Sequence, residues 1–206
     1  MSLIPLLALA AAAGCNRSPA PALTPETAMT LIDDSPRFKA TLSPSITFGD
    51  HCATVDASVT APDAFFNQLD EGKDYRSFSA LDLIALNAEA HTSGPVPDAC
   101  RSVPSRPGRR YWVWSVAPTE AGRGVGVAPP AYSQPMGTRV VTQVTNVTPA
   151  DNNTFDVDFS WQWQPTEEAK KTGYAGFMAL RDARPHQGKA RIQKAGEAWT
   201  VLSVTA

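Results

Sequence analysis

His51 and Cys52 place a base beside a nucleophile in this chain of 206 residues. A cysteine next to an imidazole is the composition of a cysteine hydrolase, in which the nearby base favours the reactive thiolate. Adjacency works against that chemistry here. Ser45 to Val59 reads as a strand broken by a turn at Gly49-Asp50, and neighbours on a strand point to opposite faces. The three histidines, His51, His91 and His186, lie far apart without metal-ligand spacing, so no metal ligand is assigned and no cofactor is implied. Asp156 and Asp158, two residues apart, share the polar face of a strand; paired with Asp50 or His51 they would offer general acid–base chemistry. A solvated face is their ordinary role. G-x-S-x-G, S-x-x-K, H-E-x-x-H and Walker patterns are absent, and GRGVGV (122–127) lacks phosphate-loop spacing. No catalytic residue is assigned, and a hydrolase centred near His51 stands as the alternative reading.

The third cysteine has a different setting. Leu3 to Ala13 is uncharged and apolar and ends in Ala12-Ala13-Gly14-Cys15. It is too short to cross a bilayer core of roughly 30 Å, which takes about 20 apolar residues. The run resembles a bacterial lipobox. That resemblance implies a signal peptide over 1–14, cleavage before Cys15, and acyl chains on Cys15 that hold the mature protein to a membrane outside the cytoplasm. In such lipoproteins Asp after the cysteine favours the inner membrane, so Asn16 implies a periplasm-facing anchor in the outer membrane. With Cys15 lipidated, Cys52 and Cys100 remain as a pair in an oxidising compartment and are expected to form a disulfide.

Composition bounds the rest. A formal charge of −2 lacks the basic field that nucleic-acid binding needs, so no nucleic-acid partner is expected. Eighteen prolines and thirteen glycines mean many turns and few long helices. Asn16 to Pro25 is polar and proline-rich, and a flexible tether is expected over 15–30. A helical and hairpin unit with the disulfide is expected over 31–128, and an antiparallel meander over 129–206. In the first unit, Thr60, Pro62 and Asp63 read as a helix start, with Ala61, Phe65 and Leu69 on one face and Gly72 as the stop. Ser79 to Asp82 reads as a second start, with Leu81, Ile84, Ala85 and Ala88 at helical spacing until Gly94-Pro95. Tyr111 to Val116 is strand-like and, with 124–127, is expected to form a hairpin.

The last third is more regular. Phe155, Val157, Phe159, Trp161 and Trp163 alternate with Asp156, Asp158, Ser160 and Gln162, a strand with one aromatic and one polar face. Arg139 to Val147 precedes it across a turn at 149–153; Tyr174 to Leu180, Lys189 to Gln193 and Ala198 to Val204 follow as further strands. The expected fold is therefore α+β, an antiparallel sheet packed against one or two short helices. This stretch, with Trp199 on its last strand, resembles the closing strands of cystatin-like and NTF2-like exported domains, and the preceding part is similar to a winged-helix-like unit. Neither resemblance carries a functional residue over.

Arg101, Arg106, Arg109 and Arg110 crowd the loop before Tyr111, Trp112 and Trp114. Exposed aromatics beside arginines form a contact surface. The expectation is a lipid-anchored, non-enzymatic binding or structural module for an envelope protein or peptidoglycan, with Arg101, Arg106, Arg109, Arg110, Trp112 and Trp114 touching the partner.

Overall fold

The aromatic alternation of 155–163 becomes the central strand of the larger of three antiparallel sheets in the computed structural model, which describes residues 22–206 except 93, 152 and 182. In chain order the first half runs α1 (Pro25–Asp34), β1 (Thr41–Leu42), β2 (Ser45–Thr47), β3 (Gly49–Asp56), α2 (Pro62–Phe66), α3 (Gly72–Ala80) and β4 (Ile84–His91). A 3-10 turn (Asp98–Cys100), β5 (Arg109–Pro118), α4 (Glu120–Gly124), β6 (Ala131–Ser133), β7 (Gly137–Pro149) and β8 (Thr154–Pro165) follow. The chain closes with α5 (Glu167–Lys171), α6 (Tyr174–Arg181), β9 (His186–Ala195) and β10 (Ala198–Thr205). The fold is α+β with antiparallel sheets, in the orders β1-β7-β8-β9-β10, β3-β5-β4 and β2-β6.

On the five-stranded sheet the apolar face of β8 carries Val157, Phe159 and Trp161, buried with Ala28 and Ile32 of α1 and with Phe38. A Cβ on Gly188 of β9 would strike the Phe159 ring directly opposite, so the ring fills the space that glycine leaves. The β7 bulge between Val141 and Gln143 is served by α1: the Val141 N–H donates to the Asp33 carboxylate at 2.8 Å. The opposite face is polar. Asp156 meets Arg191 at 3.4 Å and Asp158 meets Lys189 at 3.5 Å, exposed pairs whose contribution is about 0–1 kcal/mol each.

The smaller sheet carries a second core. Trp112 and Trp114 of β5 lie with Val55 of β3 and with Phe65, Phe66, Tyr75 and Phe78 of α2 and α3. Trp163 packs against both cores and joins them. On the outer face Cys52 is bonded to Cys100, with their Cα atoms 5.1 Å apart. Closing a loop across 48 positions removes on the order of 4 kcal/mol of unfolded-chain entropy.

Several local expectations are overturned. Residues 84–91 form a strand, not a helix, because α3 ends just before them: the Leu83 N–H reaches the Phe78 carbonyl, the Asp82 N–H reaches Ser79, and Asp82 takes φ 56°. That is a Schellman-type stop, with Leu83 and Phe78 both buried. The segment read as a start is thus a stop. Likewise α2 ends at Phe66, its N-cap is Ala61 rather than Thr60, and Gly72 opens α3 instead of ending a helix. A Cβ on Gly72 would overlap the Phe66 carbonyl, so glycine is there for the tight α2–α3 approach. Tyr174 to Leu180 is helical, burying Tyr174 and Met178 four residues apart. The 124–127 segment does not pair with β5, whose two edges are taken by β3 and β4. Finally, α1 begins at Pro25, inside the stretch expected to be tether, and α1 and β1 join the carboxyl-terminal sheet.

Candidate binding groove along an open strand edge

Two residues fix how β4 presents its backbone. One pair beyond Ile84↔Pro118, the Thr119 N–H donates to the Leu83 carbonyl opposite it at 3.2 Å. Hydrogen-bonded pairs alternate along an antiparallel ladder. Ala85, Asn87 and Glu89 therefore turn their backbone groups to β5, while Leu86, Ala88 and Ala90 turn theirs to the open edge. From the other side of β5, Ala57 donating to Gly108 at 3.0 Å gives the same parity. The ladder from Ile84 to His91 contains no bulge and no proline. By contrast β10, the open edge of the larger sheet, is broken between Val201 and Ser203. Proteins commonly blunt such edges with bulges, prolines or lysines; β4 has none of these.

Cavities flank this edge on both faces. On the inner face α2, α3 and β4 border an open hollow of about 560 Å³, lined by Phe66, Leu86 and Ala88 and by Arg76, Ser79 and Ala80. On the outer face a cavity of about 440 Å³ is lined by Asp50, Asn87, Glu89, Val113 and Ser115. Both fall in the range of ordinary ligand clefts. Asn87 and Ala88 border both hollows, so β4 is the ridge between them, and the outer one spreads back over β5 to β3. Asp63 stands exposed on the α2 rim of the inner one. A third hollow of about 500 Å³ continues over α3 past Lys73, Arg76 and Ala80 to Phe177 of α6.

Arg76 is the singular polar group here. Its Nε is shut off from solvent and has no hydrogen-bond partner. Arg139, whose Nε is in the same condition, lays its guanidinium over Trp161 at 4.7 Å and Trp163 at 5.5 Å. Among the described residues Arg76 has neither an ion pair nor an aromatic face. A buried donor without a partner calls for an explanation, because it forfeits the hydration it had when unfolded.

The residues picked from sequence lie elsewhere. Trp112 is 1% exposed and stacked on Phe65 at 4.7 Å, and Trp114 is 8% exposed, so neither ring is a contact surface. They share the inner face of β5, whereas Tyr111 is on the outer face with its hydroxyl donating to Val103. Arg101 pairs with Asp98 on the surface, and Arg109 folds back onto the Thr54 carbonyl. Arg106 is exposed in the turn, and Arg110 lies on the inner face with the tryptophans. These arginines do not converge on one exposed aromatic site. Cys15 lies outside the described residues.

No hydrolytic arrangement forms around His51. Its ring stacks on Trp114 at 5.1 Å, with Nε2 at 2.9 Å from the Thr47 carbonyl, and its neighbour Cys52 is in the disulfide. Asp50 is on the other face of β3, while Asp156 and Asp158 belong to the other sheet, paired with Arg191 and Lys189. Among the described residues no group of three or more His, Cys, Asp or Glu could hold a metal ion, and no helix is long and apolar enough to cross a membrane. No protein-family model matches the chain, nor does any curated protein or solved structure.

Proposed function

We propose that this chain is a lipid-anchored cell-envelope protein that acts without catalysis, capturing an envelope protein in the groove between α3 and the open edge of β4. The anchor rests on the sequence of Ala12 to Cys15 and its likeness to a lipobox. The binding role rests on one observation: a regular eight-residue edge strand is flanked by a cavity on each face. A groove of this kind suits a tethered receptor, because an anchor confines the domain near its partner and raises the effective concentration. Arg76, Ser79 and Ala80 are the contacts of this groove, and Trp112 and Trp114 support it from the core.

In-cell crosslinking followed by affinity capture tests this. Ala80 is exposed on the groove wall, so Ala80→Trp fills the space without disturbing a core. Wild type is expected to retain a discrete envelope partner that Ala80→Trp loses while its thermal midpoint is unchanged. Cys15→Ser is expected to leave the membrane fraction. Equal capture by Ala80→Trp would overturn the groove assignment, and membrane retention of Cys15→Ser would overturn the anchor.

A further inference from the structure

We infer that the groove's occupant is an extended peptide segment that adds to β4 as a fourth strand, with acidic or apolar side chains facing inward and basic ones facing outward. The inference rests on the groove being the docking site and names what docks. Strand addition draws its affinity from main-chain hydrogen bonds and its specificity from pockets that take alternate side chains. β4 supplies both. Leu86, Ala88 and Ala90 offer backbone donors and acceptors along the edge, and an added strand would lie about 4.8 Å away.

Successive side chains of that strand would alternate between the inner face, beside Leu86 and Ala88, and the outer face, beside Asn87 and Glu89. The inner face has Phe66, Leu86 and Ala88 in its lining together with Arg76, a half-buried guanidinium without an ion pair among the described residues, which fits a carboxylate. The outer face carries Glu89 on β4 itself, next to the added strand, and its carboxylate fits lysine or arginine. Asp63 on the inner rim is exposed and screened by solvent, whereas Arg76 is half-buried and its charge is less screened. The same charges disfavour a second copy of this chain as the occupant. Two-fold antiparallel self-pairing of β4 centred on Glu89 would set the two carboxylates opposite one another, and like charges across a ladder destabilise it.

The probe is a synthetic heptapeptide, Ac-Lys-Leu-Lys-Glu-Lys-Leu-Lys-amide, beside a block-sequence isomer of equal composition. Hydrogen exchange of the whole chain is read residue by residue. The alternating peptide is expected to slow exchange at Leu86, Ala88 and Ala90 and leave Ala85, Asn87 and Glu89, already bonded to β5, as they were. The isomer is expected to bind about tenfold more weakly, and Arg76→Glu to lose about tenfold for the alternating peptide. Ala88→Pro removes one edge N–H; should it not fold, N-methylation of alternate peptide amides makes the same cut from the ligand's side. Equal binding of both isomers, or protection on β3 or β10 instead, would overturn strand addition to β4. Edge protection in peptide-free protein, with dimers in sedimentation, would show a second copy in the groove and also overturn it. If peptide binding shows no alternation while Ala80→Trp still loses its partner, the strand mode alone fails. If Ala80→Trp keeps its partner, the docking site fails with it.

Discussion

Trp112 shows what a single residue's surroundings decide. Tyr111-Trp112 sets one ring on each face of β5, and the sequence does not say which face is covered. The disulfide-tied 3-10 turn and α2 cover both in part, and Trp112 falls in the inner core against Phe65. Trp112→Ala should therefore lower stability by about 3–5 kcal/mol, the usual cost of removing a buried aromatic. Urea denaturation measures it; an unchanged midpoint would mean the ring is not packed as described. Arg76 is the reverse case. One arginine in GKDYRSFSA carries no sequence signal, since arginine suits any helix surface. Its distinction from Arg139 is that, among the described residues, no aromatic face lies under its guanidinium, which only the fold reveals. The Cys52–Cys100 pair was legible because oxidising chemistry and a count of three cysteines left it as the pairing.

At the scale of elements, legibility followed the contrast in the pattern. In FDVDFSWQW every second residue is polar, so only a strand satisfies it, and β8 appears as read. LIALNAEA has apolar residues at both helical and strand spacing. Pairing with β5 decided it, once Asp82 had stopped α3. In YAGFMALR small residues blur the period, and burial of Tyr174 with Met178 shows the helix. Short elements also depend on contacts the sequence does not display. β6 is three residues long, and its Tyr132 hydroxyl donates to the Glu168 carboxylate of α5 at 2.7 Å. Burial, reinforced by that carboxylate, raises the Tyr132 phenol above its ordinary 10.0. A raised folded-state value means that folding favours the protonated phenol. The stabilisation is complete below pH 10 and is lost as pH rises beyond it toward the folded value. Urea midpoints should thus fall between pH 9.5 and 11.5, and Tyr132→Phe should flatten that fall. An identical slope in both proteins would contradict the account.

Over the whole molecule, two cores meet at Trp163, and the chain crosses between them more than once. α1 and β1 join the larger sheet from the amino-terminal side, and β2 pairs with β6. A boundary drawn along the sequence near residue 129 did not show this, because strand pairing across long separations leaves no local pattern. The arrangement leaves the polar face of the larger sheet laced with its own ion pairs, while the three-stranded sheet keeps the outer edge of β4 open beside a groove. Binding at that groove is the central claim. A photo-crosslinking residue placed at Ser79 on the groove wall, compared in living cells with one at exposed Thr145 on the larger sheet, tests it most directly. A discrete adduct from Ser79 that is absent from Thr145 is the predicted result. The same adduct from both positions, or from Thr145 alone, would contradict it.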